Sequence, residues 1–510
     1  MNRYWMKKPI VVWICILLLP PLGIVLVWLR RDCRLYAKIV GSLAALLFAW
    51  IHLALFWNFK VEVNGSLSRP LFSFRNSDRH NQEIDKLHQQ DHAVDTSQLR
   101  PPLNAPAQVA PEKPIPKPVA PIPPEVFSNY WTEYRGPERL GIYAEMEIAT
   151  NWPSNGLPLL WKRPVGGGYA SVVVADRTLF TIEQRRQREV VAAYDLDSGR
   201  EKWIHGWDAE FRETMGGDGP RATPTWQEGR IYALGAAGEL RCLDAGSGNR
   251  IWSHNILSEN QSENLEWGMA ASPLIVDDKI IVLTGNSVVA YGKSNGNLVW
   301  KALKDRQSYT APQLVTLAGR RQILSVGANR AVGLSIEDGK LLWESQWSTY
   351  QGINAAQPIV TGPNRFFLSA GYGHGAASIE IIAHGESFEA RTVWANNRMK
   401  NKFSSSVLYQ GFIYGLDEAI LACMDASTGE LKWKGGRYGS GELLLASGHL
   451  VLLSESGEVA LVKASPDKYE ELARFQAIEG KTWNVPAIAD GRLIIRNATE
   501  MACFRIGKSK

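Results

Sequence analysis

Ala192-Ala193-Tyr194-Asp195-Leu196-Asp197-Ser198-Gly199-Arg200-Glu201-Lys202-Trp203 is a phrase that the chain repeats. Cys242-Leu243-Asp244-Ala245-Gly246-Ser247-Gly248-Asn249-Arg250-Ile251-Trp252 is a second copy, and further copies close at Trp300, Trp343 and Trp433. Each reads as a strand, a turn containing Gly, and a second strand ending on Trp. The closing residues recur at roughly 40–50 positions, the period of a four-stranded propeller blade. Working outward, Ala222 to Trp226, Arg230 to Gly235, Glu239 to Asp244 and Asn249 to Ile256 supply four short β-rich runs. Gly229, Gly238 and Gly248 mark the turns between them. Such runs at even spacing are the sequence mark of a β-propeller.

Aligned on the repeat, the outer-strand positions fall at Trp161, Trp203, Trp252, Trp300, Trp343, Trp394 and Trp433, with Leu472 as a degenerate eighth. Three strands remain after Leu472: Trp483 to Ile488, Arg492 to Asn497 and Glu500 to Ile506. A lone strand, Leu157 to Pro164, precedes the first full unit. The lone strand completes the last blade in this reading. The fold class is therefore all-β, an eight-bladed propeller of four-stranded blades, and the closed ring leaves no open sheet edge to aggregate. The repeated Trp reads as packing between blades, because a buried indole removes much apolar area and satisfies its N–H locally.

The pattern Ala-x-Asp-x-x-Ser/Thr-Gly-x-x-x-Trp resembles the tryptophan-docking repeat of pyrroloquinoline quinone (PQQ) propellers. Residues 130–507 are similar to the PQQ-like propeller superfamily, which includes quinoprotein alcohol dehydrogenases and the propeller lipoprotein of the outer-membrane barrel-assembly machinery. Trp131-Thr132-Glu133-Tyr134-Arg135-Gly136-Pro137 and Gly217-Asp218-Gly219-Pro220-Arg221-Ala222-Thr223-Pro224 resemble a set of uncharacterised bacterial members. The resemblance implies either a binding propeller or an oxidoreductase that holds PQQ with calcium.

Three domains are expected: a membrane anchor over 1–60, a disordered Pro-rich linker over 61–125, and the propeller over 126–510. The net charge is +5, yet residues 1–60 hold eight Lys/Arg against one Asp, so the remainder is near −2. That balance excludes the basic surface of a nucleic-acid binder. The apolar runs 9–29 and 39–57 are each about as long as a bilayer core requires. The first has Pro20-Pro21 and Gly23 at its middle and basic residues on both flanks. A re-entrant hairpin keeps both flanks on the cytoplasmic side, and the second run then crosses once. The alternative is two ordinary spans. The expected location is the bacterial inner membrane, with residues 9–57 as the anchor and the propeller outside the cytoplasm. His80, His88 and His92 lie in a polar stretch without apolar periodicity; metal binding is one reading, and a solvated tail is the one the unstructured spacing favours. Pro101 to Pro124 favours an extended polyproline stalk. Cys242, Cys423 and Cys503 take the same third-strand place in three blades, where a small residue is wanted.

Function in a propeller sits in loops that vary freely on the scaffold. The loops entering the innermost strands nominate Asp218, Arg221, Trp267, Tyr309, Asn354, Lys402 and Trp483 for ligand binding: aromatics to stack, charges and an amide to orient. The bland reading of Asp218 and Arg221 is a staple holding their own Gly-rich loop, and Gly371-Tyr372-Gly373-His374-Gly375 reads as a flexible turn. His205, His254, His374, His384 and His449 form no metal-spaced motif, and the chain has no adjacent Cys pair and no Cys-x-x-Cys-His. The expectation is thus no catalytic residue, no metal and no cofactor, with a protein, peptide or glycan partner. A PQQ-dependent dehydrogenase and a sensor or solute-binding domain stand as alternatives.

Overall fold

A computed structural model describes residues 24–25, 27–28, 34–57, 60–63, 70–73, 77–93, 130–214 and 216–508. The chain divides into two compact units, Met1–Gln82 and Glu83–Lys510. In the first, Leu35–Trp57 is one 23-residue helix, which takes in the second apolar run. Val27 is buried against Gly41, and the Trp28 indole donates to Ser42 Oγ at 3.0 Å. Among the described residues no helix is long and apolar enough to cross a membrane; the side chains of 51–57 lie outside them. Most of the 9–29 run lies outside them too, as does the Pro-rich stretch 101–124. Two features correct the disordered linker. Lys60–Val63 pairs antiparallel with Pro70–Ser73, and Ser77–His92 is a 16-residue helix. The helix escaped the periodicity argument because only Ile84 and Leu87 are apolar; the rest of its inward face is polar.

The second unit is the propeller, eight sheets among the described residues. Blade 1 is Val173–Ala175, Thr178–Arg185, Arg188–Asp195 and Glu201–Asp208. Blade 2 begins at Thr225–Gln227, blade 3 at Leu274–Val276, blade 4 at Gln313–Leu317 and blade 5 at Ile359–Gly362. Blade 6 begins at Val407–Tyr409, blade 7 at Glu442–Ala446 and blade 8 at Ala487–Ala489. The last blade is composite as expected: Leu159–Pro164 pairs antiparallel with Glu500–Arg505, setting Trp161 opposite Cys503.

The repeated phrase has a packing cause. Each Trp stands across from a small residue, as in Trp203 with Ala193, Trp252 with Cys242 and Trp433 with Cys423, and a bulge follows at once. The bulge turns the indole toward the neighbouring blade. There the N–H of Trp161 donates to Leu196 O at 2.9 Å, that of Trp203 to Ala245 O at 3.1 Å, and that of Trp300 to Ile336 O at 3.1 Å. The Gly of the neighbour's turn lies under the ring. Gly248 has φ 74°, and a Cβ on it would stand 2.5 Å from Trp203. Trp343 differs because blade 5 has lost the turn phrase; its N–H donates instead to Gln322 Oε1 at 2.5 Å. Leu472 is not the eighth anchor. Ala473 takes the Trp position, opposite Leu461, so blade 7 exchanges the large and small partners.

Blade 7 gains a fifth strand from an unexpected source. Ile142–Tyr143 pairs in parallel with Leu445–Ala446 on its innermost strand. The residues before that pair run inside the ring. Val174 N–H donates to Trp131 O at 2.7 Å and Trp226 N–H to Thr132 O at 2.8 Å, on the inner strands of blades 1 and 2. Arg139 donates to Ser272 O at 3.1 Å and Pro273 O at 2.5 Å ahead of blade 3, and to Pro312 O at 2.9 Å ahead of blade 4. Arg135 reaches Ser406 O at 3.1 Å ahead of blade 6 and lies 3.8 Å from Glu442 of blade 7. Residues 131–143 thus plug the central channel.

Candidate functional site

The plug sets the floor of the site. Trp131, Arg135, Arg139 and Tyr143 are buried, and Arg135, Glu138 and Arg139 adopt left-handed φ of 64°, 54° and 61°. Non-Gly residues hold that conformation only where the surroundings enforce it. Here the surroundings are carbonyls of several blades. Arg139 Nε also donates to Glu133 Oε2 at 3.0 Å. Burial pushes the Glu442 carboxyl up to about 8, against the pull of Arg135.

Above this floor, the loops entering the inner strands bring aromatic rings and cations together. The Trp483 ring lies 5.5 Å from Tyr169 and 4.9 Å from Phe403. The Lys481 ammonium sits 4.3 Å over Trp483 and the Lys402 ammonium 5.3 Å over Phe403. Arg221 lies between Phe211, at 4.9 Å, and Tyr169, at 5.6 Å. The Trp267 and Tyr309 rings are tilted by 46° with centroids 5.3 Å apart, and Gly216 joins them to the rest by lying between Trp267 and Arg221. The result is a collar of cations resting on aromatic faces, an attraction that strengthens as water is excluded. Burial lowers the Arg221 and Lys402 pKa values and raises that of the Tyr309 phenol.

Of the residues nominated from sequence, Arg221, Trp267, Tyr309, Lys402 and Trp483 meet in this collar. Arg221 is also the staple of its loop, donating to Gly217 O and Gly219 O at 2.8 Å each. Asp218 holds the same loop from outside, accepting from Glu213 N–H at 3.2 Å. Trp483 is anchored by Glu455 Oε1 at 2.9 Å. Asn354 is a structural residue: buried, its amide donates to Gly327 O at 2.9 Å and accepts from the Trp347 indole at 3.1 Å. The 371–375 turn is packed, with Tyr372 under Lys402 at 4.8 Å and His374 edge-on to Trp347 at 4.4 Å. Tyr169, Phe211, Tyr372, Phe403 and Lys481 were missed. Their signal was their place, at or beside the loops that enter inner strands.

The two channel carboxylates are not free to cage a cation beside a quinone. Such a cation needs a cage of free carboxylate and amide oxygens. In the channel, Glu133 and Glu442 face Arg139 and Arg135 of the chain itself. The three described cysteines sit in separate blades, and burial pushes their thiols up to about 11 for Cys242 and about 12 for Cys423 and Cys503. Those are packing thiols, not reactive ones.

Comparison with known proteins gives one recurrent likeness. A family model described as outer membrane protein assembly factor BamB matches residues 187–435. BamB of Yersinia pestis is 19% identical over 318 residues, covering 57% of this chain and 75% of that protein. The crystal structure of BamB from Moraxella catarrhalis superposes with a TM-score of 0.53 at 16% identity, over 68% of this chain and 99% of that one. A quinohemoprotein alcohol dehydrogenase from Pseudomonas putida gives 0.50 at 12% identity, over 75% and 81%. The two structural likenesses concern the fold alone.

Proposed function

This chain belongs to the PQQ-like β-propeller family, and from that premise we propose that it is a membrane-tethered binding or scaffold module outside the cytoplasm. Its partner is a protein or peptide segment, in the assembly of outer-membrane proteins. The observation that carries this reading is the collar above a plugged channel. The plug occupies the axis with Trp131 and two buried arginines, so the inner-loop face offers a broad surface rather than a deep reaction chamber. Aromatic and arginine side chains are the residues that dominate protein interfaces. Cations held over rings suit a segment bearing carboxylates beside apolar side chains. The relatives' description as an assembly factor agrees with such a role. The anchor rests on the apolar runs 9–29 and 39–57, which keep the propeller at a membrane.

The test is crosslinked capture of partners by the full chain in its membrane. Trp267→Ala and Lys402→Ala should lower capture several-fold while leaving the melting curve of the purified chain in place. Arg221→Ala serves less well, since it also frees a loop. Unchanged capture in both variants would remove the collar from the function. A reporter fused after residue 125 that is active only in the cytoplasm would remove the placement.

A further inference from the structure

Glu83–His92, the C-terminal part of the Ser77–His92 helix, belongs to the propeller unit and lies on the outer strand of blade 1. Asp91 Oδ2 accepts from the backbone N–H of Glu201 at 2.8 Å and from Arg163 Nη1 at 3.0 Å, while Arg200 donates to Asp91 O at 3.1 Å. These contacts turn one helix face toward Glu201. His88 and His92 are one turn apart on that face, as positions i and i+4 must be, and their rings are 4.6 Å apart. His88 Nδ1 hydrogen-bonds to Glu201 Oε1, and His92 Nε2 lies 3.4 Å from the same oxygen. The two ring nitrogens and the carboxylate oxygen all lie within 4.8 Å of one another. Glu201 is 1% exposed at its side chain, and its other oxygen accepts from Arg185 Nη2 at 2.5 Å.

We propose that His88, His92 and Glu201 bind a divalent transition-metal ion of the zinc type, clamping the helix onto blade 1. Two imidazoles and one carboxylate are a zinc ligand set with a fourth position left to water. Imidazole nitrogens favour zinc, copper or nickel over calcium or magnesium. Bonds of about 2.0–2.1 Å place tetrahedral ligands about 3.3 Å apart; His92 Nε2 already stands 3.4 Å from Glu201 Oε1, and the His88 ring has to rotate away from the direct hydrogen bond to that oxygen to admit the ion. Arg185 fixes the carboxylate from behind, as partners of metal ligands commonly do. Both imidazoles are 37% exposed, so an ion can reach them from solvent. The clamp also answers an energetic need. A helix with two apolar residues on its docking face gains little from burial, and a metal bond contributes directly to the stability of the docked form.

The test uses the full chain in detergent, stripped with a chelator and titrated with Zn2+ by calorimetry and with Co2+ by visible absorption. One equivalent should bind, with a tetrahedral Co2+ spectrum that excess Ca2+ does not displace. His88→Ala and His92→Ala should each weaken Zn2+ binding by more than about ten-fold, the lower bound for loss of even an outer-shell partner, and should abolish the spectrum. Both side chains are part-exposed, so the variants should fold, which circular dichroism verifies. Failure of the wild-type chain to take up Zn2+, or uptake of equal affinity in both variants, overturns the proposal. Neither outcome bears on the collar.

Discussion

Trp203, Ala193 and Gly248 state the rule of the repeat in three residues. The indole stands opposite Ala193 in its own blade and lies on Gly248 of the next. The small partner is required: at Gly333, the equivalent place in blade 4, a Cβ would sit 2.2 Å from the Trp343 indole nitrogen. Where the rule is broken it is broken in both partners, with Ala473 facing Leu461. Trp203→Ala should destabilise by about 3–5 kcal/mol, as buried large-to-small changes do. Gly248→Ala should cost about 1–3 kcal/mol from overpacking, because its Cβ meets the same ring at φ 74°. Part of that cost disappears once the ring is gone, so the double variant should lose less than the sum of the two. Denaturant melts of the four proteins check this, and strict additivity would mean that the two residues do not touch.

At the scale of elements, two N-terminal segments complete structures that lie far away in sequence. Leu159–Pro164 closes the ring through Glu500–Arg505, and Ile142–Tyr143 adds to blade 7 after residues 131–141 have filled the channel. Arg139 is the clearest joint of the plug, since it ties Glu133 to the carbonyls ahead of blades 3 and 4. Arg139 is buried and Glu133 only partly so, and removing the guanidinium leaves that carboxylate and three carbonyls of the blades without their donor. Arg139→Ala should therefore cost about 3–5 kcal/mol in urea melts. A loss below about 1 kcal/mol would show that the blades close without the plug. The orphan strand was legible in the sequence because the last blade was one strand short. The plug was not, because its contacts are side chain to backbone and carry no periodicity.

The whole molecule holds its charge unevenly in depth. Glu442 sits beside Arg135 at the centre of the ring, and burial pushes its carboxyl from 4.5 up to about 8. The unfolded chain releases this proton near 4.5, and the folded chain keeps it to about 8. Between those values the native state binds more protons than the unfolded one, so stability falls as pH rises. The contribution is fully present below the lower value and lost through the upper one. Urea midpoints at about pH 5 and about pH 9 should drop more for the wild-type chain than for Glu442→Gln, which has no proton to release. Equal drops would assign the pH dependence to other groups.

Local order was readable from the chain itself. A fixed period, a turn residue that must accept positive φ, and a small residue across from every Trp are repeated consequences of one steric arrangement, and repetition makes them visible. Eight blades and the shared last blade follow from counting. Convergence was decided only in three dimensions. Arg221, Trp267, Lys402 and Trp483 come from four separate loops, and closure of the ring is what makes them neighbours. Closure likewise sets Glu442 beside Arg135 and seals the channel with a segment that reads as an ordinary loop. The Ser77–His92 helix is a further case: its two histidines gain a shared partner only when Glu201, more than a hundred residues away, is folded against them. Sequence determines what each strand can bury. The tertiary structure decides which polar groups face one another, because that depends on distances that no local pattern encodes.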